Sequence, residues 1–238
     1  MKTNVSLLNK VPKPTTCHVL FLSSDKALSA EAKDFDQQLN GTLSTLLKNG
    51  GLTPRAGHLT VIPAVGPQNT RLILVYTGKK ANANSADYKK LCVSVASKLT
   101  SLSISSINIS LSGLANTGID FDTLSRHLLE AIGDARYTLT QQPAPANKPA
   151  KTKPLSIHFW VADKDQLKQT KIGCKQGLAI SNGKDLARNL GNLPGNICTP
   201  SYLAKQARAL GRSHNLKIDV LSEPEMKKLK MDSLLSVS

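Results

Sequence analysis

Aromatic residues are scarce in this 238-residue chain: they make up 4% of it, and Trp160 is the single tryptophan. The core must therefore consist mainly of leucine, isoleucine, valine and alanine. Parallel strands that are buried on both faces, and the helices that cover them, use these aliphatic residues. The shortage of aromatic residues therefore favours an α/β protein.

The sequence also lacks the short motifs of several common chemistries. It contains no His-Glu-x-x-His, no Walker loop, no Gly-x-Ser-x-Gly elbow and no Gly-x-Gly-x-x-Gly after a strand. The cysteines are widely separated and form no Cys-x-x-Cys pair, so they do not match a zinc-site spacing. We interpret Cys17, Cys92, Cys174 and Cys198 as reduced thiols, and His18 and His158, which fall inside strand-like runs, as structural residues.

Long apolar runs are absent as well. No window approaches the roughly 18 consecutive apolar residues of a membrane span, and the N-terminal residues lack the apolar segment of a signal peptide. We therefore expect a cytoplasmic protein with no membrane partner.

Acidic residues are outnumbered: 31 lysines and arginines face 16 aspartates and glutamates, which gives a formal net charge of +15. Such an excess attracts phosphate backbones and acidic partners, but here it is spread along the chain. The densest cluster, Lys148, Lys151 and Lys153, lies in the proline-rich stretch 141–154. These lysines either keep an exposed loop soluble or contact DNA, and no aromatic residue accompanies them to stack on bases.

Short apolar runs alternate with amphipathic helical segments along the first part of the chain. This order predicts a three-layer α/β domain, in which a mixed sheet lies between two helix layers. The loop 141–154 should precede a last strand that returns to the same sheet. Predicted strands cover 17–22, 58–65, 71–78, 106–113 and 155–162, the second and third forming a hairpin, and predicted helices cover 29–49, 85–99 and 121–137.

A long helix is predicted from Lys171 to Asn192, with a stripe along one face that includes Ile172, Ile180 and the small residue Gly183. Leu193-Pro194 ends it, since proline disfavours helix at the preceding residue. Thr199 is suited to cap the next helix and Pro200 to open it.

Further along, a strand is predicted over 217–221, a short helix from Pro224, and a buried strand at Leu234, Leu235 and Val237. That last strand has no visible partner, so we expect the chain to be truncated inside a domain. The paired carboxylates Asp163/Asp165 and Glu223/Glu225 are interpreted as acids at helix N-termini. The predicted domains are an N-terminal α/β domain at 1–170, an interdomain helix at 171–192 and the incomplete start of a second α/β domain at 193–238.

The segment 177–210 resembles the one that joins the two domains of the leucyl aminopeptidase (cytosol aminopeptidase) family. There a helix ending in Ala-Arg-x-Leu-x-Asn leads to Pro-x-Asn-x-Cys-Thr-Pro and then to Leu-Ala-x-x-Ala. The tail from Glu223 also resembles the family's Met-x-x-Leu-x-Met-x-x-x-Leu-x-Val segment. The residues that match in register are Ala187, Arg188, Leu190, Asn192, Pro194, Asn196, Cys198, Thr199, Pro200, Leu203, Ala204 and Ala207.

The resemblance implies a structural hinge formed by Asn192, Pro194, Asn196, Cys198, Thr199 and Pro200. It also implies a homo-hexameric hydrolase, a metalloprotease that releases N-terminal residues from peptides with two divalent metal ions, zinc or manganese. Some bacterial members also bind DNA.

The family's metal ligands lie in a Lys-Gly…Asp-Ser-Gly-Gly segment and in Asn-Thr-Asp-Ala-Glu-Gly-Arg. Neither string occurs in this sequence. We therefore assign no catalytic or metal-binding residue and expect this chain alone to be inactive. The alternatives are a stand-alone basic nucleic-acid-binding module, or a regulatory module that docks on an intact enzyme.

Overall fold

The computed structural model describes residues 1–8, 15–22, 28, 30–50, 55–65, 70–78, 84–102, 104–138 and 154–236. They fall into two compact units, the first ending at Asp185 and the second running from Leu186. None of the described helices combines the length and the apolar character that a membrane span requires.

The first unit contains a six-stranded sheet and its helices. The strands are β1 (Lys2–Leu7), β2 (Cys17–Leu22), β3 (Leu59–Val65), β4 (Thr70–Tyr76), β5 (Ser106–Ser110) and β6 (Ser156–Val161). The helices are α1 (Ala30–Gln38), α2 (Thr42–Lys48), α3 (Ser85–Ser101), α4 (Phe121–Arg136) and α5 (Lys164–Asn192), and the end of α5 belongs to the second unit. That unit adds α6 (Pro200–His214), α7 (Glu223–Lys228) and α8 (Asp232–Leu235).

The strands lie in the order β1-β6-β5-β2-β4-β3. All neighbours are parallel except β3 and β4, which pair antiparallel. The predicted mixed sheet and its hairpin are therefore confirmed. The last strand does return to this sheet as predicted, because β6 pairs with both β5 and β1; residues 141–153 lie outside the described residues.

Alternate residues of the central strands point to opposite faces, and each face has its own helix layer. Val19 and Ile73 pack in one cluster with residues of α3 and α4, whereas Leu20 and Leu72 pack in another with Leu43 of α2. Both faces of β2 and β4 are thus buried, which explains their continuous apolar sequences. The predicted three-layer arrangement is confirmed.

Strand β1 was not predicted from the sequence. It lies at the edge of the sheet, where only Val5 and Leu7 pack against the core and Lys2 and Asn4 are exposed. An edge strand covered on one face needs only alternate apolar residues, so residues 2–7 carry no continuous apolar run.

The helix predicted over 29–49 is in fact two helices, α1 and α2. Asn40 and Gly41 adopt the left-handed conformation, with φ of 52° and 74°, and break the helix there. The buried Asp36 carboxylate accepts hydrogen bonds from the backbone N–H of Leu43, at 2.7 Å, and of Ser44, at 3.2 Å. It therefore satisfies N–H groups that the first turn of α2 leaves unpaired. Ser29 lies outside the described residues.

Helix α5 begins at Lys164, seven residues before the predicted start at Lys171. The Asp163 carboxylate accepts a hydrogen bond from the backbone N–H of Gln166, at 2.8 Å, and so caps the first turn. The predicted stripe is also wrong, since Ile172 and Ile180 are 45% and 38% exposed. The buried positions of α5 are Thr170, Gly173, Cys174, Gly177 and Ser181.

The reason is a close approach between α5 and α4. A Cβ atom on Gly173 would lie 2.1 Å from the backbone oxygen of Asp122, and one on Gly177 would lie 2.9 Å from that of Arg126. Conversely, a Cβ on Gly133 of α4 would lie 2.0 Å from the Ser181 hydroxyl. Small residues, not large apolar ones, therefore form the contact surface of α5.

Two predictions for the second unit are wrong. Residues 217–221 form no strand, because no described strand lies beside them to share backbone hydrogen bonds. Residues 232–235 form the short helix α8 instead of a strand, and Leu234 is 50% exposed. Val237 lies outside the described residues.

The contact between α4 and α5 yields a paired test. Gly173→Ala should lower the free energy of unfolding by about 2 kcal/mol, because the added methyl group has no room against α4. Gly183→Ala, on the same helix but exposed and with no atom within 4 Å of its added Cβ, should raise it by about 0.5 to 1 kcal/mol. Urea unfolding followed by circular dichroism measures both, and equal stabilities for the two variants would contradict the close contact.

Candidate functional site

The predicted hinge residues lie in the second unit, where they form a turn between α5 and α6. Helix α5 ends at Asn192, and the following Leu193 is buried. The carbonyl oxygen of Pro194 then accepts hydrogen bonds from the backbone N–H groups of Ile197 and Cys198, both at 2.9 Å. Asn196 lies within the turn that these two bonds close.

The start of α6 follows the prediction from the sequence. Thr199 has extended backbone angles, and its hydroxyl oxygen accepts a hydrogen bond from the backbone N–H of Tyr202, at 3.3 Å. Pro200 occupies the first turn, where its missing N–H costs nothing. The predicted cap and the predicted helix start are both confirmed.

This turn carries little reactive chemistry. Cys198 is a partly buried free thiol, and the other predicted hinge residues have amide, hydroxyl or proline side chains. Their observed bonds order the backbone between two helices. That Asn192, Pro194, Asn196, Cys198, Thr199 and Pro200 act as a hinge between domains stays a prediction.

The structure gives no position for the lysines that are predicted to contact DNA. Lys148, Lys151 and Lys153 all lie outside the described residues. Their role stays a prediction from the sequence.

Metal-ligating side chains do not converge in the part of the chain that the structure describes. No group of three or more histidine, cysteine, aspartate or glutamate residues in it could hold a metal ion.

The paired carboxylates serve helix starts, as predicted. Asp163 caps α5, and Glu225 accepts hydrogen bonds from the hydroxyl and the backbone N–H of Ser222 before α7, at 2.6 and 2.7 Å. These two bonds, that of the hydroxyl first, hold the pKa of Glu225 below its ordinary value. One member of each pair thus has a structural role, and the other, Asp165 or Glu223, lies in the first turn of the same helix.

A polar pocket of about 200 Å³ lies in the first unit, beside the starts of β1 and β6. Met1 and Leu155 line it on the sheet side, Arg136 at the end of α4, and Ser181 and Asp185 on α5. Arg136 and Asp185 are both engaged in interactions of their own. The charged side chains Arg136 and Asp185 of the pocket are therefore already engaged within the protein.

The histidines inside strands are structural, as predicted. His158 lies 2.9 Å from the Ser6 hydroxyl through Nε2 and stacks on Trp160 with ring centres 4.5 Å apart. His18 packs edge-on against Phe35 at 4.8 Å, and burial lowers its pKa to about 4. Both imidazoles are thus held by neighbouring side chains, that of His158 within the sheet and that of His18 against α1.

The thiols of the buried cysteines are unreactive. Cys17, Cys92 and Cys174 are free thiols, and burial raises the pKa of each to about 12. A thiol needs to ionise to act as a nucleophile or a metal ligand, so these three remain protonated core residues.

Reasoning from the sequence missed the residues that position α5. Gly173, Gly177 and Ser181 recur every fourth residue, which places them on one helix face. That spacing of small residues indicates a close helix contact, which the larger apolar residues of α5 do not mark.

Comparisons with known proteins address both units. A family model described as the cytosol aminopeptidase family, N-terminal domain, matches residues 19–141, and one described as the catalytic domain of the same family matches residues 185–238. The cytosol aminopeptidase of Pseudomonas aeruginosa is 33% identical over 226 residues, which cover 94% of this chain and 45% of that protein. A probable cytosol aminopeptidase of Paraburkholderia xenovorans is 33% identical over 223 residues, covering 93% of this chain and 44% of the relative.

Solved structures share the fold. A mutant of tomato leucine aminopeptidase superposes with a TM-score of 0.70 at 18% identity, covering 97% of this chain and 46% of that one. The bottromycin maturation enzyme BotP in complex with Mn superposes with a TM-score of 0.64 at 16% identity, covering 91% and 40%. In sequence as in structure, the chain spans less than half the length of these proteins.

The half-buried His18 predicts a dependence of stability on pH. Its pKa falls from 6.5 to about 4 on folding, so between these values the unfolded chain binds a proton that the folded protein does not. The free energy of unfolding therefore keeps its full value above pH 6.5. It falls by up to about 3 kcal/mol as the pH is lowered toward 4.

The change His18→Gln should flatten this part of the profile, whereas His214→Gln, at an exposed position of α6, should leave it unchanged. Urea unfolding at a series of pH values measures the difference. Parallel profiles for the two variants would show that His18 does not titrate in this way.

Proposed function

This chain belongs to the cytosol aminopeptidase family, and we propose on that basis that it forms the N-terminal portion of a leucyl-type metallo-aminopeptidase. The observation that carries the proposal is the order of the two family matches, the N-terminal domain first and the catalytic domain from residue 185. The complete enzyme would hydrolyse peptides and release their N-terminal residues.

The same matches support the division of the chain into an N-terminal domain, an interdomain helix and the start of a catalytic domain. Helix α5 spans the boundary at Asp185 between the two compact units. The catalytic-domain match begins at that same position. We therefore propose that the turn after Asn192 is the entry into the catalytic domain.

The catalytic centre belongs to the rest of that domain. The described residues converge on no metal ligand set, and neither metal-binding string of the family occurs in the sequence. Two divalent ions, zinc or manganese, would activate water for peptide hydrolysis when bound by the complete domain. This chain would contribute the α/β domain and the helices that lead into the catalytic domain. We propose a cytoplasmic homo-hexamer for the complete enzyme.

An activity assay tests this proposal. The 238-residue chain with added manganese and zinc should give no turnover of leucyl-p-nitroanilide above background. A fusion of this chain to the part of the Pseudomonas aeruginosa cytosol aminopeptidase that lies beyond the match should turn the substrate over. Turnover by the chain alone, or a folded, metal-loaded fusion without turnover, would contradict the proposal.

The net charge of +15 favours a second candidate function, the binding of DNA through a basic surface. If Lys148, Lys151 and Lys153 contact phosphates, changing all three to glutamine should weaken binding and reduce the dependence of log K on log salt concentration by about 3. The matched control changes Lys205, Lys217 and Lys227, which are exposed in the second unit, to glutamine. Gel-shift titrations at several salt concentrations measure both, and binding that is insensitive to salt would exclude this function.

A further inference from the structure

One face of α5 carries a row of four lysines. The intervals between them are four, three and four residues, and residues at these intervals lie on the same side of a helix. All of them are exposed. At about 1.5 Å per residue, the row is about 16 Å long. The members of this lysine row are Lys164, Lys168, Lys171 and Lys175.

No carboxylate neutralises the lysine row. Within the part of the chain that the structure describes, none of its ammonium groups forms an ion pair. Before Asp185, the one acidic residue of α5 is Asp165, which the helical period places on a different side. By contrast, Lys184 lies on another side of the same helix and pairs with Asp134 of α4. The lysine row thus concentrates four positive charges without a paired carboxylate.

This arrangement does not stabilise the helix that carries it. Like charges three or four residues apart on a helix repel each other. Lysines are also favoured near the C-terminus of a helix, because the helix dipole is positive at the N-terminus. Here Lys164 is the first residue of α5, and the last turn contains no basic residue. The lysine row therefore needs an explanation other than the stability of α5.

The contacts of α5 with α4 hold the lysine row in place. Gly173 and Gly177 lie close to the backbone of α4, on the side of α5 that is turned away from the row. Nearer the start of α5, the side-chain oxygen of Gln169 accepts a hydrogen bond from the backbone N–H of Phe121, at 3.1 Å. The backbone that carries the lysines is thus positioned before any partner binds.

The chemistry of the lysine row favours phosphate groups as its partners. A lysine presents a point charge, which suits contacts to phosphate oxygens that carry no sequence information. Over about 16 Å, one strand of a DNA duplex carries about five phosphates, enough to meet every lysine of the row. A membrane surface suits the row less well, because a helix that lies on a membrane inserts an apolar face. Among residues 164–175, Ile172 is the one large apolar residue that is exposed.

We propose that the lysine row of α5 binds the phosphate backbone of double-stranded DNA. The inference rests on the second candidate function, the binding of DNA, and deepens it by naming a surface other than Lys148, Lys151 and Lys153. The net charge of +15 attracts the duplex over a distance, and the lysine row supplies the contacts.

Gel-shift titrations at several salt concentrations test the proposal on the full 238-residue chain. Changing every lysine of the row to glutamine should reduce the dependence of log K on log salt concentration by about 3.6, since each phosphate contact contributes about 0.9. The matched control removes the same charge from exposed positions of α1, α2 and α3 and should change this dependence much less. It changes Lys33, Lys48, Lys89 and Lys90 to glutamine. Equal changes in the two variants would overturn the inference.

The same titrations separate this inference from the function on which it rests. If the unchanged chain shows no salt-dependent binding, both the DNA-binding function and the inference fail. If only the change of Lys148, Lys151 and Lys153 weakens binding, the function stands and the inference is overturned. Two duplexes of unrelated sequence should bind equally well, because phosphate contacts do not distinguish bases. Stronger binding of the row to vesicles of phosphatidylserine and phosphatidylcholine than to the duplex would assign it to a membrane surface and overturn the inference.

Urea unfolding distinguishes a role of the lysine row in binding from a role in folding. Glutamine suits an exposed helix position about as well as lysine does, and it removes the repulsion within the row. The variant with glutamine throughout the row should therefore unfold at the same or a higher urea concentration than the unchanged chain. A lower midpoint would show that the lysine row stabilises α5 and would overturn the inference.

Discussion

The close contact between α4 and α5 fixes the position of α5 in the first unit, and α5 is the last helix of that unit. At Gly173 and Gly177 the backbone of α5 lies close to that of α4, and neither residue has a side chain to hold the two helices apart. The Ser125 hydroxyl lies within hydrogen-bond distance of the carbonyl oxygens of Phe121 and Thr170, and so links the helices where they are buried. Lys184 and Asp134 form an ion pair further along. The helix that leads into the family's catalytic domain is thereby fixed to the sheet domain along several turns.

The two units differ in how they bury apolar residues. The sheet unit has a core on each face, with aliphatic side chains of β2 and β4 in both. In the second unit, by contrast, leucine, isoleucine and valine side chains from α6 to α8 remain exposed. The first unit thus buries its apolar residues in a core of its own, whereas much of the apolar surface of the second unit is exposed. This contrast matches the assignment of the first unit to the N-terminal domain and of the second to part of the catalytic domain.

The parts of the candidate site that depend on a few neighbouring residues could be predicted from the sequence. Thr199 and Pro200 specify a helix start within three residues, and the structure shows that start. A metal centre could not be predicted in this way, because its ligands come from several segments that converge only in the folded protein. No such convergence occurs among the described residues, and the lysines at 148, 151 and 153 lie outside them.

By itself the sequence determined the family and most strands and helices of the first unit, because caps, apolar runs and the signature after α5 are short-range patterns. Four features could be recognised only in the tertiary structure. They are the edge strand β1, the break that Asp36 stabilises before α2, the glycine face of α5, and the absence of a strand at 217–221. The break before α2 depends on a side chain seven residues from its partner Leu43. The other three features depend on residues far apart in the chain: an edge strand needs its neighbouring strand, a glycine face needs the backbone that approaches it, and any strand needs a partner for its hydrogen bonds. The pattern of residues 216–221 favours a strand, but pairing depends on a second segment, and no described segment takes that place.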